Sequence, residues 1–206
     1  MSVNVVDHPL AQHLLTGLRD RTTDPSRYRQ LAWTLSTILI LEATKGLATR
    51  TKEIETPLEP FDGSELATGL AVVPVLRAGL SMLEPALQLF PDVAVGYIGL
   101  ERSHDTAIAH SYYCKLPNLK DRFVLLVDPM LATGGSAAQA ASLLKAHGAT
   151  TIAMACVIAA PEGVATLADA HPDIDVTTGC VDRGLNDRKY ILPGLGDYGD
   201  RLYGTL

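Results

Sequence analysis

Four continuous apolar runs constrain this chain more than any other feature: LAVVPVL at 70–76, VAVGYIGL at 93–100, FVLLVD at 123–128 and TIAMACVIA at 151–159. None alternates apolar with polar residues as a half-wet strand does, so each is expected to be buried on both faces. Helical patterns stand between them, near 79–89, 135–147 and 161–170, and IDVTTGCVD at 174–182 reads as a further strand. Strands alternating with helices build an α/β fold, a mostly parallel sheet flanked by helices, whose ligands bind at the carboxyl ends of the strands. Upstream, Asp24 as N-cap and Pro25 as first helical residue open a long helix to about Gly46, with Leu31, Leu35, Ile38 and Leu41 on a helical period.

A length of 206 residues, 47% of them hydrophobic, suits one domain spanning 1–206. The net charge of -6 offers no overall basic field to nucleic acid or to an anionic membrane. The longest apolar stretch, 35–41, is interrupted by Ser36 and Thr37 and ends at Glu42, well short of the roughly 20 residues of a membrane span. The start, MSVNVVDHPL, has no basic segment followed by a hydrophobic one, so a cytoplasmic location is expected. Cys114, Cys156 and Cys180 form no CxxC pair, and Cys156 and Cys180 read as buried reduced thiols.

The chemistry concentrates where the run ending at Asp128 gives way to the helix near Gly135, across VDPMLATGGS at 127–136. A strand-to-helix turn of this composition points backbone N–H groups and a helix dipole at one spot, which suits a phosphate. Thr133 and Ser136 offer hydroxyl donors, while Gly134 and Gly135 allow close backbone approach. A purely structural Gly/Ser turn has the same appearance. Asp128 at the strand tip either accepts from vicinal ribose hydroxyls or faces solvent.

Two other phosphate signatures fail. No lysine follows a glycine of the 127–136 loop, so the GxxxxGK[ST] loop of nucleotide triphosphatases is absent. GLGDYG at 194–199 satisfies GxGxxG literally, but it follows no hydrophobic strand, opens no predicted helix, and leaves too little chain for the acidic residue a dinucleotide fold requires. Two segments escape the regular pattern. Residues 103–119, with His104, His110, Tyr112, Tyr113 and Lys115, read as a flexible arm able to fold over a site, and 182–206 reads as a Gly- and Pro-rich binding loop or docked tail.

Through most of its length the chain resembles the uracil phosphoribosyltransferases of the type I phosphoribosyltransferase fold. The resemblance rests on DHPL at 7–10, VVPVLRAGL at 72–80, VDPMLATGGS, AAPEG at 159–163, AHPD at 170–173 and YILPGLGDYGDR at 190–201. It implies transfer of the phosphoribosyl group of 5-phosphoribosyl 1-pyrophosphate (PRPP) to uracil, giving UMP and pyrophosphate, with Mg2+ held mainly by PRPP and water.

By the same resemblance, Asp128, Pro129, Met130, Leu131, Ala132, Thr133, Gly134, Gly135 and Ser136 hold the 5-phosphate and ribose. Arg77 and Arg102 hold pyrophosphate through charge-assisted hydrogen bonds. Ile191, Gly196 and Tyr198 frame uracil, and Asp197 faces both the base and the sugar pyrophosphate, so the tail is a base-binding one. Asp128, Arg102 and Asp197 carry the catalytic roles, mainly by positioning and by stabilising charge on the leaving group. Second acidic residues common in the wider fold are replaced here by Pro129 and Ala132, leaving no side chain marked as a general base.

Two positions depart from the family pattern. Tyr198 stands where a small residue, often Ala, is usual, and a bulky side chain there either narrows the base pocket or points outward. Glu101 replaces the usual Tyr before Arg102. The resemblance also implies a homodimer or homotetramer and, in some relatives, a GTP effector. The alternative reading, an RNA-binding regulator on the same fold, calls for a basic face that the net charge does not suggest.

Overall fold

The computed structural model describes the backbone of residues 1–102 and 109–205, and the side chains of these except at 101, 102 and 109–111. The chain opens with Val3–Val5 (β1), Pro9–Arg19 (α1) and Pro25–Ala43 (α2). Thr49–Glu55 (β2) and Pro60–Leu66 (β3) pair as a hairpin ahead of Gly69–Leu76 (β4), a 3-10 turn at Ala78–Met82 and Leu83–Leu89 (α3). Then come Ala94–Val95 (β5), Tyr97–Arg102 (β6), Ala109–Lys115 (β7), Arg122–Val127 (β8), Met130–Leu131 (β9) and Gly135–Ala146 (α4). Thr151–Cys156 (β10), Ile158–Ala159 (β11), Pro161–Ala170 (α5), Asp175–Thr178 (β12), Gly184–Leu185 (β13), Ile191–Leu192 (β14) and Tyr198–Tyr203 (α6) complete it.

Among the described residues the main sheet runs β1-β12-β10-β8-β4-β6-β7, with β5 beside β4. Every pair is parallel except β6 with β7. Alternate residues of the central strands feed two cores, as the unbroken apolar runs require. Val72, Leu125, Val127 and Ala155 join the core that holds residues of α1, α2 and α6, whereas Val73, Leu126, Met154 and Cys156 join the one that holds residues of α4 and α5. From β4 the chain proceeds to β6 on one side, then crosses to β8 on the other. The switch point therefore lies between the carboxyl ends of β4 and β8, where a crevice opens in sheets of this kind.

The structure corrects several boundaries. The predicted run at 93–100 breaks at Gly96 into β5 and β6, and the run at 151–159 breaks at Val157 into β10 and β11. The long helix stops at Ala43 rather than Gly46: the backbone leaves helical geometry at the Thr44 cap, with φ -104° and ψ 2°. The predicted helix at 79–89 begins as a 3-10 turn. Of the expected arm at 103–119, residues 109–115 form an edge strand paired to β6, while 103–108, including His104, lie outside the described residues. Cys156 is buried, Cys180 is half-buried and Cys114 is exposed. Burial pushes the Cys156 and Cys180 thiols up to about 12, so both stay protonated at neutral pH. Among the described residues no helix is long and apolar enough to cross a membrane.

Candidate active site

Arg77 follows β4 directly and Asp128 follows β8 directly, so the sheet itself brings these two predicted site residues to the switch point. Both line a cavity of about 410 Å³. Met130 and Ala132 of the 127–136 loop line the same space, as do Ile191, Gly196, Asp197 and Tyr198 of the tail. Residues more than 50 positions apart in sequence thus meet around one volume suited to a small ligand.

The loop divides into a fixed half and an open half. Pro129 accepts hydrogen bonds from the N–H groups of Val157 and Ile158 at 2.9 and 3.1 Å, and β9 pairs in parallel with β11. Leu131 buries its side chain, and its carbonyl accepts from Ala160 at 2.9 Å. Through their carbonyls Pro129 and Leu131, two of the nine residues expected at the phosphate and ribose, anchor the loop to the neighbouring strand.

Gly134 adopts a left-handed φ of 80° and caps α4 with no side-chain hydrogen bond. The first N–H groups of α4 stand at an end suited to an anion. A Cβ at Gly134 would lie 2.5 Å from the Gly163 carbonyl, so this glycine serves close packing on α5. Gly135, exposed and with only Thr133 Oγ1 at 4.0 Å from a Cβ built there, is the position that leaves room for an anion. Thr133 and Ser136 are partly exposed at the same helix end. Arg77 is exposed, and its backbone carbonyl accepts from the Tyr203 hydroxyl at 3.3 Å. Arg102 closes β6, and its side chain lies outside the described residues.

The tail is ordered and contains two elements that composition did not reveal. β13 and β14 form a short hairpin, and Asp197 caps α6 by accepting from the Asp200 N–H at 3.0 Å. The GLGDYG stretch does open a helix, contrary to expectation, but a six-residue one at the chain end and outside any βαβ unit. Tyr198 lines the cavity and does not point outward. Only 2% exposed, it stacks edge-on against Tyr28 at 5.4 Å and shares a hydrogen bond with Ser81 at 3.0 Å. Desolvation raises its phenol well above the ordinary value, so it stays neutral.

Sequence reasoning missed Arg188, Lys189 and Tyr190, which also line the cavity. They occupy the turn between β13 and β14, with Lys189 at a φ of 66°, and Asn186 holds that turn by accepting from the N–H groups of Arg188 and Tyr190, both at 2.9 Å. Adjacent basic residues immediately before YILPG were the available signal.

The profile of the family described as uracil phosphoribosyltransferase matches residues 5–205. The chain belongs to that family. A uracil phosphoribosyltransferase of Dictyoglomus thermophilum is 52% identical over 98% of this chain and 99% of its own length. That of Roseiflexus castenholzii is 48% identical over 98% of each chain. The solved structure of a protein from Aquifex aeolicus superposes with a TM-score of 0.93 at 38% identity, covering 98% of this chain and 97% of the other. A hypoxanthine-guanine phosphoribosyltransferase from Bacillus anthracis superposes at a TM-score of 0.55 with 11% identity, over 77% of this chain and 80% of its own, and shares the fold. The α/β architecture of this family member is therefore that of the type I phosphoribosyltransferases, as its motifs imply. Nothing in these comparisons favours the RNA-binding alternative.

Proposed function

We propose that this chain transfers the 5-phosphoribosyl group of PRPP to uracil, releasing pyrophosphate and forming UMP. The observation that carries this reading is the shared cavity: the tips of β4 and β8 and the family's glycine-rich tail line one volume. The open end of α4, with Gly135 and the hydroxyls of Thr133 and Ser136, receives the 5-phosphate. Asp128 accepts from the ribose hydroxyls, Arg77 pairs with the pyrophosphate, and Arg102 acts with it there. Ile191, Gly196 and Tyr198 frame the base, and Asp197 faces it from the sugar side.

In the reaction the bond from ribose C1′ to the pyrophosphate oxygen breaks, leaving both electrons on pyrophosphate, and a bond from C1′ to uracil N1 forms. Arg77 meets the growing negative charge, while the cavity holds N1 in line with C1′. The N1 proton passes to pyrophosphate or water, since Pro129 and Ala132 offer no base. Asp128 and Asp197 are the carboxylates that line the cavity, a set that suits a magnesium ion drawing its other ligands from diphosphate and water. When bound, that ion neutralises phosphate charge. The reading includes a cytoplasmic homodimer or homotetramer, which sedimentation equilibrium tests. It leaves GTP as an effector to be tried by titration.

The test is pyrophosphate release by the purified protein with PRPP, magnesium, and uracil or each of several rival bases. Uracil-dependent release that Asp128→Ala abolishes supports the reading. Release with another base, or with none, overturns it.

A further inference from the structure

Arg19 and Asp182 form a paired ion contact outside the cavity lining. Arg19 Nη2 lies 2.6 Å from Asp182 Oδ1, and Nη1 lies 2.9 Å from Oδ2, a two-point fork. The carboxylate side chain is 6% exposed. With the Arg19 side chain 27% exposed the pair is only partly buried, and such a pair adds little net stability, so its placement calls for another explanation.

Both partners end on the backbone of the same residue, one on each of its flanking peptide groups. The Gly194 N–H donates to Asp182 Oδ2 at 2.9 Å, and its carbonyl accepts from Arg19 Nη1 at 2.8 Å. Gly194 has a φ of 62°, and a Cβ there would strike the Ile191 carbonyl at 2.1 Å. It lies between Ile191 and Gly196 in the chain, both of which line the cavity. Asp182 is itself registered to the sugar side of the site. Its N–H donates to the Ala159 carbonyl at 2.8 Å, and Ala159 belongs to β11, which pairs with β9 of the 127–136 loop. A single ladder therefore runs from Leu131 through Ala159 and Asp182 to Gly194.

We propose that Arg19 and Asp182 are positioning residues for the base: by gripping Gly194 they fix the tail at 191–196 relative to the sugar-binding loop. The inference rests on the uracil-transfer reading. Each contact is a charge-assisted hydrogen bond to the backbone of Gly194, so its loss displaces the tail and leaves the 127–136 loop in place.

The experiment is steady-state kinetics of Asp182→Asn, Arg19→Lys and the double variant, with uracil and PRPP varied in turn. A tail released from its grip raises KM for uracil on the order of tenfold. KM for PRPP stays within about twofold of the unaltered protein, and the double variant is no worse than the worse single one. Uracil KM unchanged in both single variants overturns the inference, as do equal rises for both substrates or additive losses. If Asp182→Asn does not fold, Arg19→Lys, which retains the charge, decides by the same split. Uracil-dependent turnover by the unaltered protein is measured alongside, so failure of the reaction itself is seen separately.

Discussion

A methyl group at Gly163 would stand 2.5 Å from the carbonyl oxygen of Ala132. The constraint is reciprocal, because a Cβ at Gly134 would lie equally close to the Gly163 carbonyl, at 2.5 Å. Helix α5 thus holds the turn that ends at the α4 cap. Gly163→Ala is expected to cost about 1–3 kcal/mol in urea unfolding and to raise KM for PRPP more than KM for uracil. An unchanged unfolding midpoint would show that the loop can move off α5 freely.

Arg77 reaches the switch point from a strand tip and carries a planar fork of donors. Replacing it with lysine keeps the charge and loses the paired geometry. Arg77→Lys should raise KM for PRPP about tenfold while leaving the thermal melting curve in place, since the side chain is exposed. Retained PRPP affinity in calorimetric titration would place the pyrophosphate elsewhere.

Tyr198 separates the effect of its hydroxyl from that of its ring. Tyr198→Phe removes the bond shared with Ser81 and should cost about 1 kcal/mol, with uracil KM unaltered. Tyr198→Ala empties a buried site beside Tyr28 and should cost about 3–5 kcal/mol. Chemical denaturation of the two variants measures both values, and a uracil KM that shifts in Tyr198→Phe would mean the phenol reaches the base.

How much was legible in advance followed from how local each signal is. Helix α5 runs over Pro161–Ala170, the predicted bounds, because Pro161 at its start and the strand before it are read within a few residues. The sheet was legible because continuous apolar runs have few other uses. The β2–β3 hairpin escaped because neither strand has a buried face to impose alternation: Leu58 at its turn is 94% exposed. Helix α1 was missed although Ala11, Leu14, Leu15 and Leu18 carry a helical period, and His8 caps it by accepting from the Leu10 N–H at 3.0 Å. At the site, Asp128 was accessible as a strand end and Arg77 through the family motif VVPVLRAGL. Arg19 and Asp182 were not, because they lie 163 positions apart and nothing nearby in sequence marks either.

Acid should dissolve the contribution of Asp182. Burial works to raise its pKa, but the Arg19 guanidinium and the Gly194 N–H outweigh it and hold the carboxyl below the ordinary 3.8. A carboxyl depressed on folding contributes fully above the unfolded value and loses that contribution as pH falls through the folded one. The difference in unfolding free energy between the unaltered protein and Asp182→Asn should therefore be largest near neutrality and shrink below about pH 4. A difference constant across that range would mean that the charge of Asp182 is not what the fold uses.

The ladder from Leu131 to Gly194 bears on any attempt to graft a new base preference onto this scaffold. A tail transplanted from a relative with another specificity would meet Arg19 and Asp182 of this chain instead of its own partners, so its native seating is kept only if positions 19 and 182 travel with it. The transferable cassette is therefore discontinuous, made of the end of helix α1, the strand-like stretch at 180–182 and the tail.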